Sequence, residues 1–387
     1  MSQAKLNAEF DIAGFLTEDW QKHPRLLPKL VEFHDPLSPE ELAGLACEVG
    51  VESRLVLGKQ DWTLRHGPFQ DADFTSLPAE NWSLLVQSVD LYISEIKELQ
   101  RLFTFIPQWR LEDVMVSFAS PGGGVGPHFD YYDVFLVQGA GQRRWRLGKK
   151  CPSDAQLQAD SELALLSSFE TEQEVILNPG DVLYIPPQYA HWGEAVSDSL
   201  CYSIGFRAPS TADMLEGFSD GLISRSDPAK RFTNKQQDGS VNFAEISVQD
   251  LNRAFSLMQE ELGDQLSFNK WFGTHMTQPK NPDLFERLEE MPGFLELKAG
   301  LTAKQTLLEL HPASRLAYAN LEEQQTLLFF VDGRVYVLAA SNLKIVSQLC
   351  ESTTSFNEVF IDSESENDLV NIGLDMLFEG SLLLSAT

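Results

Sequence analysis

Between Asp113 and Phe206 short runs alternate apolar with small or polar residues, and each run is closed by Gly, Pro, Asn or Asp. That period of two predicts a succession of strands, the raw material of an antiparallel barrel. The run SLCYSIGF at 199 to 206 is the cleanest. Leu200, Tyr202, Ile204 and Phe206 take one face, while Cys201, Ser203 and Gly205 take the other, which is left to border a cavity or to lie beneath a helix. Upstream the period lengthens. SPEELAGLACEV begins with Ser38 as cap, Pro39 at the first helical position and Glu41 three residues after the cap, so a helix is expected from about 39 to 49. A second helix is read from Trp82 to Phe103 on Leu84, Leu85, Ile93, Ile96, Leu99 and Phe103. Both are placed as flanks of the barrel.

After Pro209 the pattern turns helical, with Met214, Leu215, Phe218, Leu222 and Ile223 in one segment and Leu251, Phe255, Met258 and Leu262 in another. The polar DGSVNF at 238 to 243 reads as the loop between them. These stripes have no barrel partner in sequence, so they are expected to close a bundle or a two-fold interface. GTHMTQPKNPD at 273 to 283 reads as a linker, and TLLFFVDGRVYVLAA as a hairpin turning on Asp332 and Gly333. The boundaries are therefore drawn at 1–208, 209–276 and 277–387.

The 387 residues, 43% of them apolar, suffice for two or three real cores. Cys47, Cys151, Cys201 and Cys350 have no C-x-x-C spacing, which argues against a disulfide scaffold or a cysteine zinc site and favours a reducing cytoplasm. MSQAKLNAEFDIAG does not read as a secretory signal, and no apolar run approaches the ~20 residues that cross a bilayer. Charge narrows the partners. With 29 Lys and Arg against 57 Asp and Glu, the net of −28 repels phosphate backbones and attracts a basic polypeptide. Residues 281 to 387 hold six Lys or Arg and seventeen Asp or Glu, so direct DNA binding is not expected there.

The chemistry is concentrated in two stretches. In PGGGVGPHFDYYDVFLVQ a Gly-rich approach leads to a strand on which His128 and Asp130 project together. In EVILNPGDVLYIPPQYAHW, Pro186 and Pro187 end a strand and His191 follows the stiff turn. Two imidazoles and one carboxylate make a facial metal triad that leaves positions open on iron(II), with zinc the chemical competitor. Beyond a GAG hairpin turn, QRRWRL returns as a strand with Arg143, Trp145 and Leu147 on one face. The Arg143 guanidinium suits a carboxylate such as the distal one of 2-oxoglutarate.

With those residues in view, the chain resembles the bacterial JmjC-type ribosomal oxygenases, the arginine hydroxylases of large-subunit ribosomal protein L-sixteen. FLTEDWQKHPRLL, NWSLLVQ, PGGGVGPHFDYYDVF, GQRRWRLG, PGDVLYIPP and YSIGFRAP carry the likeness across the first half. It implies an α+β fold: a JmjC or cupin-like double-stranded β-helix with flanking helices, a helical dimerisation region and a C-terminal winged-helix-like domain. It also implies Fe(II) held by His128, Asp130 and His191, 2-oxoglutarate held by Arg143 and Ser117, dioxygen as oxidant, a basic ribosomal protein as substrate, and a homodimer. Gln142 departs from the third consecutive arginine expected of near family members, at a position facing away from Arg143. Another protein, a small molecule, or a barrel that binds without turnover are the other readings of the same residues.

Overall fold

A computed structural model describes residues 4–59, 61–159, 162–233, 244–351, 355–362 and 367–386. The loop reading of 238 to 243 lies outside them. The chain divides into two compact units, Met1–Ala208 and Pro209–Thr387.

The first unit opens with β1 (Lys5–Leu6), α1 (Ile12–Glu18), β2 (Arg25–Leu27), β3 (Val31–Glu32) and α2 (Pro39–Cys47). Next come β4 (Ser53–Leu57), β5 (Thr63–His66), α3 (Asp71–Thr75), β6 (Trp82–Val86) and α4 (Ser94–Arg101). Strands β7 (Leu111–Ala119), β8 (Asp133–Gln138), β9 (Arg143–Lys150) and β10 (Gln173–Leu177) follow, then β11 (Val182–Ile185), β12 (Tyr189–Ala195) and β13 (Ser199–Phe206). A large sheet runs β2-β11-β8-β13-β7-β6-β4-β5 and a small one β10-β9-β12. Every pairing is antiparallel.

The central strands β11, β8 and β13 of the large sheet are buried on both faces, and alternation along β8 shows how. Phe135 and Val137 join a helix-side core with Phe15, Phe103, Tyr184, Tyr202 and Phe206, whereas Val134 and Leu136 join a second core with Trp145, Leu147, Leu183 and Cys201. Each such side chain contributes about 1.5–3 kcal/mol by leaving water. The helix at 39 forms as expected, with the complete capping box between Ser38 and Glu41.

Two expectations for this unit are corrected. Residues Trp82–Val86 are a strand between β4 and β7, and helix begins only at Ser94. Apolar residues at consecutive positions satisfy both sides of a buried strand as readily as one side of a helix. The GAG segment is not a hairpin turn either. Strand β8 pairs with β11 and β13 while β9 pairs with β10 and β12, so residues 139–142 carry the chain from one sheet to the other.

The second unit begins with α5 (Thr211–Arg225), α6 (Val248–Leu262) and α7 (Gln265–Met276). Helix α5 packs on α7 through Phe218, Phe268 and Trp271, whose Nε1 donates to the Gly217 carbonyl at 3.1 Å. Helix α6 leaves its stripe uncovered: Phe255 is 64% and Met258 65% exposed. Beyond these lie α8 (Phe294–Thr302), β14 (Thr306–Leu310), β15 (Leu316–Leu321), β16 (Thr326–Val331), β17 (Arg334–Ala339), α9 (Leu343–Glu351), α10 (Ser355–Asp362), α11 (Asp368–Phe378) and β18 (Leu382–Ala386). Strands β15-β16-β17 form one sheet and β14-β18 another. The β16–β17 hairpin turns on Asp332 and Gly333, both at positive φ, as its sequence predicted. The linker reading of 273 to 283 is shortened, because Gly273 to Met276 complete α7 and Gly273 lies against the Phe330 ring.

Candidate metal centre

Strand β12 is the platform of the site. On one side it pairs with β9, and on the other it meets the Gly-rich segment before His128 through bridges Gly124–Glu194 and His128–His191. The backbones of the two histidines exchange hydrogen bonds of 3.0 and 2.8 Å. Gly124 is needed for this approach, since a Cβ there would lie 2.2 Å from the Gly193 carbonyl oxygen. The regular strand begins only at Asp133, so His128 and Asp130 sit in an irregular lead-in rather than on the strand expected for them. They nonetheless face one point.

His128, Asp130 and His191 present one ligand atom each, all within 4.8 Å of one another. The Asp130 carboxylate lies 3.9 Å from His128 Nε2 and 3.5 Å from His191 Nε2. Each Nδ1 meets the carbonyl two residues earlier, Gly126 for His128 and Tyr189 for His191, both at 2.9 Å. A carbonyl can only accept, so Nδ1 carries the proton and Nε2 turns its lone pair inward. Two bare nitrogens and a carboxylate then converge with no donor between them, an arrangement that a divalent cation satisfies. Burial, and after it the neighbouring His128, pulls His191 down to about 4, which keeps it neutral and competent to ligate.

Arg143 reaches across from β9 to the large sheet and is only 7% exposed. Nη1 donates to Ser117 Oγ at 2.8 Å, Nε to Ser199 Oγ at 3.2 Å, and Nη2 to the carbonyls of Ser117 and Ser199 at 3.3 and 3.2 Å. All these partners are uncharged. Among the described residues no carboxylate pairs with this buried cation, which leaves its charge available to an anion in the cavity. Ser117 accepts from the guanidinium, and its own O–H remains to donate. The cavity between the sheets is lined by the triad, Arg143 and Ser117, with Leu85, Met115, Val134, Leu136 and Trp145 as apolar wall. Two polar atoms in that lining, Ser83 Oγ and Trp145 Nε1, are buried without a hydrogen-bond partner.

The five residues singled out from sequence thus fall in one cavity, and Gln142 points elsewhere, donating to Asn178 at 2.8 Å. The neighbours Tyr131, Tyr132 and Asp133 divide. Tyr131 is exposed; Tyr132 is exposed over part of its ring, but burial toward its hydroxyl, and after it the charge of Asp130, raises the phenol. Asp133 is fully buried and paired with Arg110 at 2.9 Å, so it faces no substrate. Ser199, Trp145 and Ser83 were not singled out. Trp145 shares the inward face of Arg143, a signal available in the alternation, whereas Ser83 was hidden by the helical reading of its strand.

Residues 98–214 match the model described as JmjC domain, which defines the class. The chain is 41% identical over 276 residues to the ribosomal protein uL16 3-hydroxylase of Escherichia coli K12, covering 69% of this chain and 71% of that protein. It is 35% identical over 277 residues to a probable ribosomal oxygenase of Haemophilus influenzae, 68% of this chain and 66% of that protein. The crystal structure of E. coli YcfD superposes with a TM-score of 0.86 at 31% identity over 99% of this chain and 100% of that one. YcfD in complex with cobalt and 2-oxoglutarate gives 0.83 at 30% identity, again over 99% and 100%. The chain belongs to the bacterial JmjC-type ribosomal oxygenases, and its first unit is a JmjC, cupin-like α+β fold with flanking helices.

Proposed function

We propose that this protein is an Fe(II)- and 2-oxoglutarate-dependent dioxygenase that hydroxylates an arginine side chain of ribosomal protein uL16, the large-subunit protein L-sixteen. One observation carries the reading: a two-His, one-carboxylate cluster shares a cavity with a buried arginine that has no counter-charge among the described residues. His128, Asp130 and His191 would hold the iron, and Arg143 with Ser117 the distal carboxylate of 2-oxoglutarate. Bound iron and 2-oxoglutarate supply the oxidising chemistry, in which dioxygen ends as one hydroxyl on the substrate and one oxygen of succinate, with release of carbon dioxide. The protein's work is placement. The backbone ladder between His128 and His191 fixes the ligands, the Nδ1 contacts fix the tautomers, and the apolar wall keeps water from the reacting carbon.

The substrate class rests on the uL16 hydroxylase relative and on a net charge of −28 that draws in a basic protein. Finer points belong to the same proposal. The two sheets close as a double-stranded β-helix; residues 209–276 form a homodimer through the uncovered face of α6; residues 277–387 are a winged-helix-like module for protein contact. No helix among the described residues is long and apolar enough to cross a membrane, and four free thiols suit a cytoplasmic setting. The test is to supply intact uL16, iron(II), 2-oxoglutarate and oxygen. Succinate should form in step with a mass gain of one oxygen on an arginine, and succinate without that gain would remove the substrate assignment.

A further inference from the structure

Trp145 occupies the inward face of β9 midway between the two ends of the cavity. The β9–β12 register sets Leu147 opposite His191, Trp145 opposite Gly193 and Arg143 opposite Ala195, so the indole sits one step from the triad and one step from the guanidinium. Its ring centroid is 6.0 Å from that of His191. The ring cannot turn freely: a Cβ on Gly193 would lie 2.7 to 2.9 Å from three of its carbons, so glycine is what lets it lie against β12. Trp145 is 6% exposed, and its Nε1–H has no acceptor among the described residues. A buried donor left unmade is costly and is normally matched, by solvent or by ligand. Trp145 lines the same cavity as the triad and Arg143, so an anion held there is a candidate acceptor for this N–H.

We propose that the Trp145 indole N–H donates a hydrogen bond to a carboxylate oxygen of the bound 2-oxo acid, a fixed contact besides those at the metal and at Arg143. The inference rests on the function proposed above. It makes Trp145 a co-substrate-positioning residue, with the N–H rather than the ring as the working part. Removing a hydrogen bond to a charged acceptor weakens binding by about tenfold or more.

Two measurements test it on the full chain. In zinc-loaded protein, the Trp145 indole ¹⁵N–¹H resonance, assigned through its contacts to Gly193, should move downfield when 2-oxoglutarate is added. Calorimetry on cobalt-loaded Trp145→Phe should give about tenfold weaker 2-oxoglutarate binding with unchanged metal affinity, and steady-state turnover should show the change in KM more than in kcat. An unmoved resonance, in protein whose 2-oxoglutarate binding is lost in Arg143→Ala, overturns this inference and leaves the proposed function standing. Failure of the unaltered protein to bind 2-oxoglutarate overturns both. The resonance test uses the unaltered chain, so it stands if the Phe variant does not fold.

Discussion

Each imidazole of the triad is oriented by the carbonyl two residues before it, and the orienting group is backbone in both cases. The tautomers therefore survive any single side-chain change nearby, and loss of function should follow loss of a ligand itself. His128→Ala and Asp130→Ala should abolish succinate formation while moving metal-free stability by no more than about 0.5 kcal/mol, since both side chains are partly exposed. Arg143→Ala should act through the KM for 2-oxoglutarate. His191 carries a pH signature. Its folded value of about 4 lies below the ordinary 6.5, so the unfolded chain binds more protons between those values. This contribution is fully present above about pH 6.5 and is lost as the pH falls toward 4. Thermal unfolding of metal-free protein should decline across that window, and His191→Gln should flatten the decline; an unchanged slope would contradict a buried neutral ring. The candidate ligands and Arg143 could be singled out from sequence because their side-chain types carry their chemistry in one dimension, and the fold brings them to one cavity. The orphan state of Trp145 Nε1 was not, because a missing partner is a property of the folded surroundings.

At the scale of elements, the lead-in that carries Asp130 is anchored where β8 begins. The Asp133 carboxylate accepts from Tyr184 at 2.6 Å, Arg110 at 2.9 Å and Gln21 at 3.1 Å, which ties β8 to β11, to the turn before β7 and to the segment after α1. Burial raises this carboxyl, and these contacts oppose the rise. Asp133→Ala would leave Arg110 largely buried without its counter-ion, so we expect a loss of about 3–5 kcal/mol, read as a lower denaturant midpoint; Asp133→Asn should lose less. Strand positions from Asp113 to Phe206 could be read from alternation, but partner choice could not. A three-residue Gly-Ala-Gly joint serves a hairpin and a crossing between sheets equally well, and only pairing across the fold distinguishes them. The strand at Trp82 was mistaken for the same kind of reason: with β4 and β7 on either side, its consecutive apolar residues find cover that periodicity does not record.

Over the whole molecule, the acid excess and the bare face of α6 bear on partners rather than on the reaction. If that face closes a homodimer, Phe255→Glu should yield a monomer by sedimentation while the first unit keeps its thermal transition; an unaltered mass would place the interface elsewhere. The order in which the strands enter the two sheets has a consequence for synthesis. Strand β8 joins the large sheet, β9 and β10 the small one, β11 the large, β12 the small, and β13 returns to sit between β8 and β7. A nascent polypeptide that has emerged only as far as Ile185 holds His128 and Asp130, yet it lacks both the second imidazole and the strand that joins the two halves of the large sheet. Such non-local closure is slow. The candidate ligand set is consequently complete only once β12 has emerged, and a chain stalled or clipped at Ile185 offers an ion two of the three groups and an unjoined sheet.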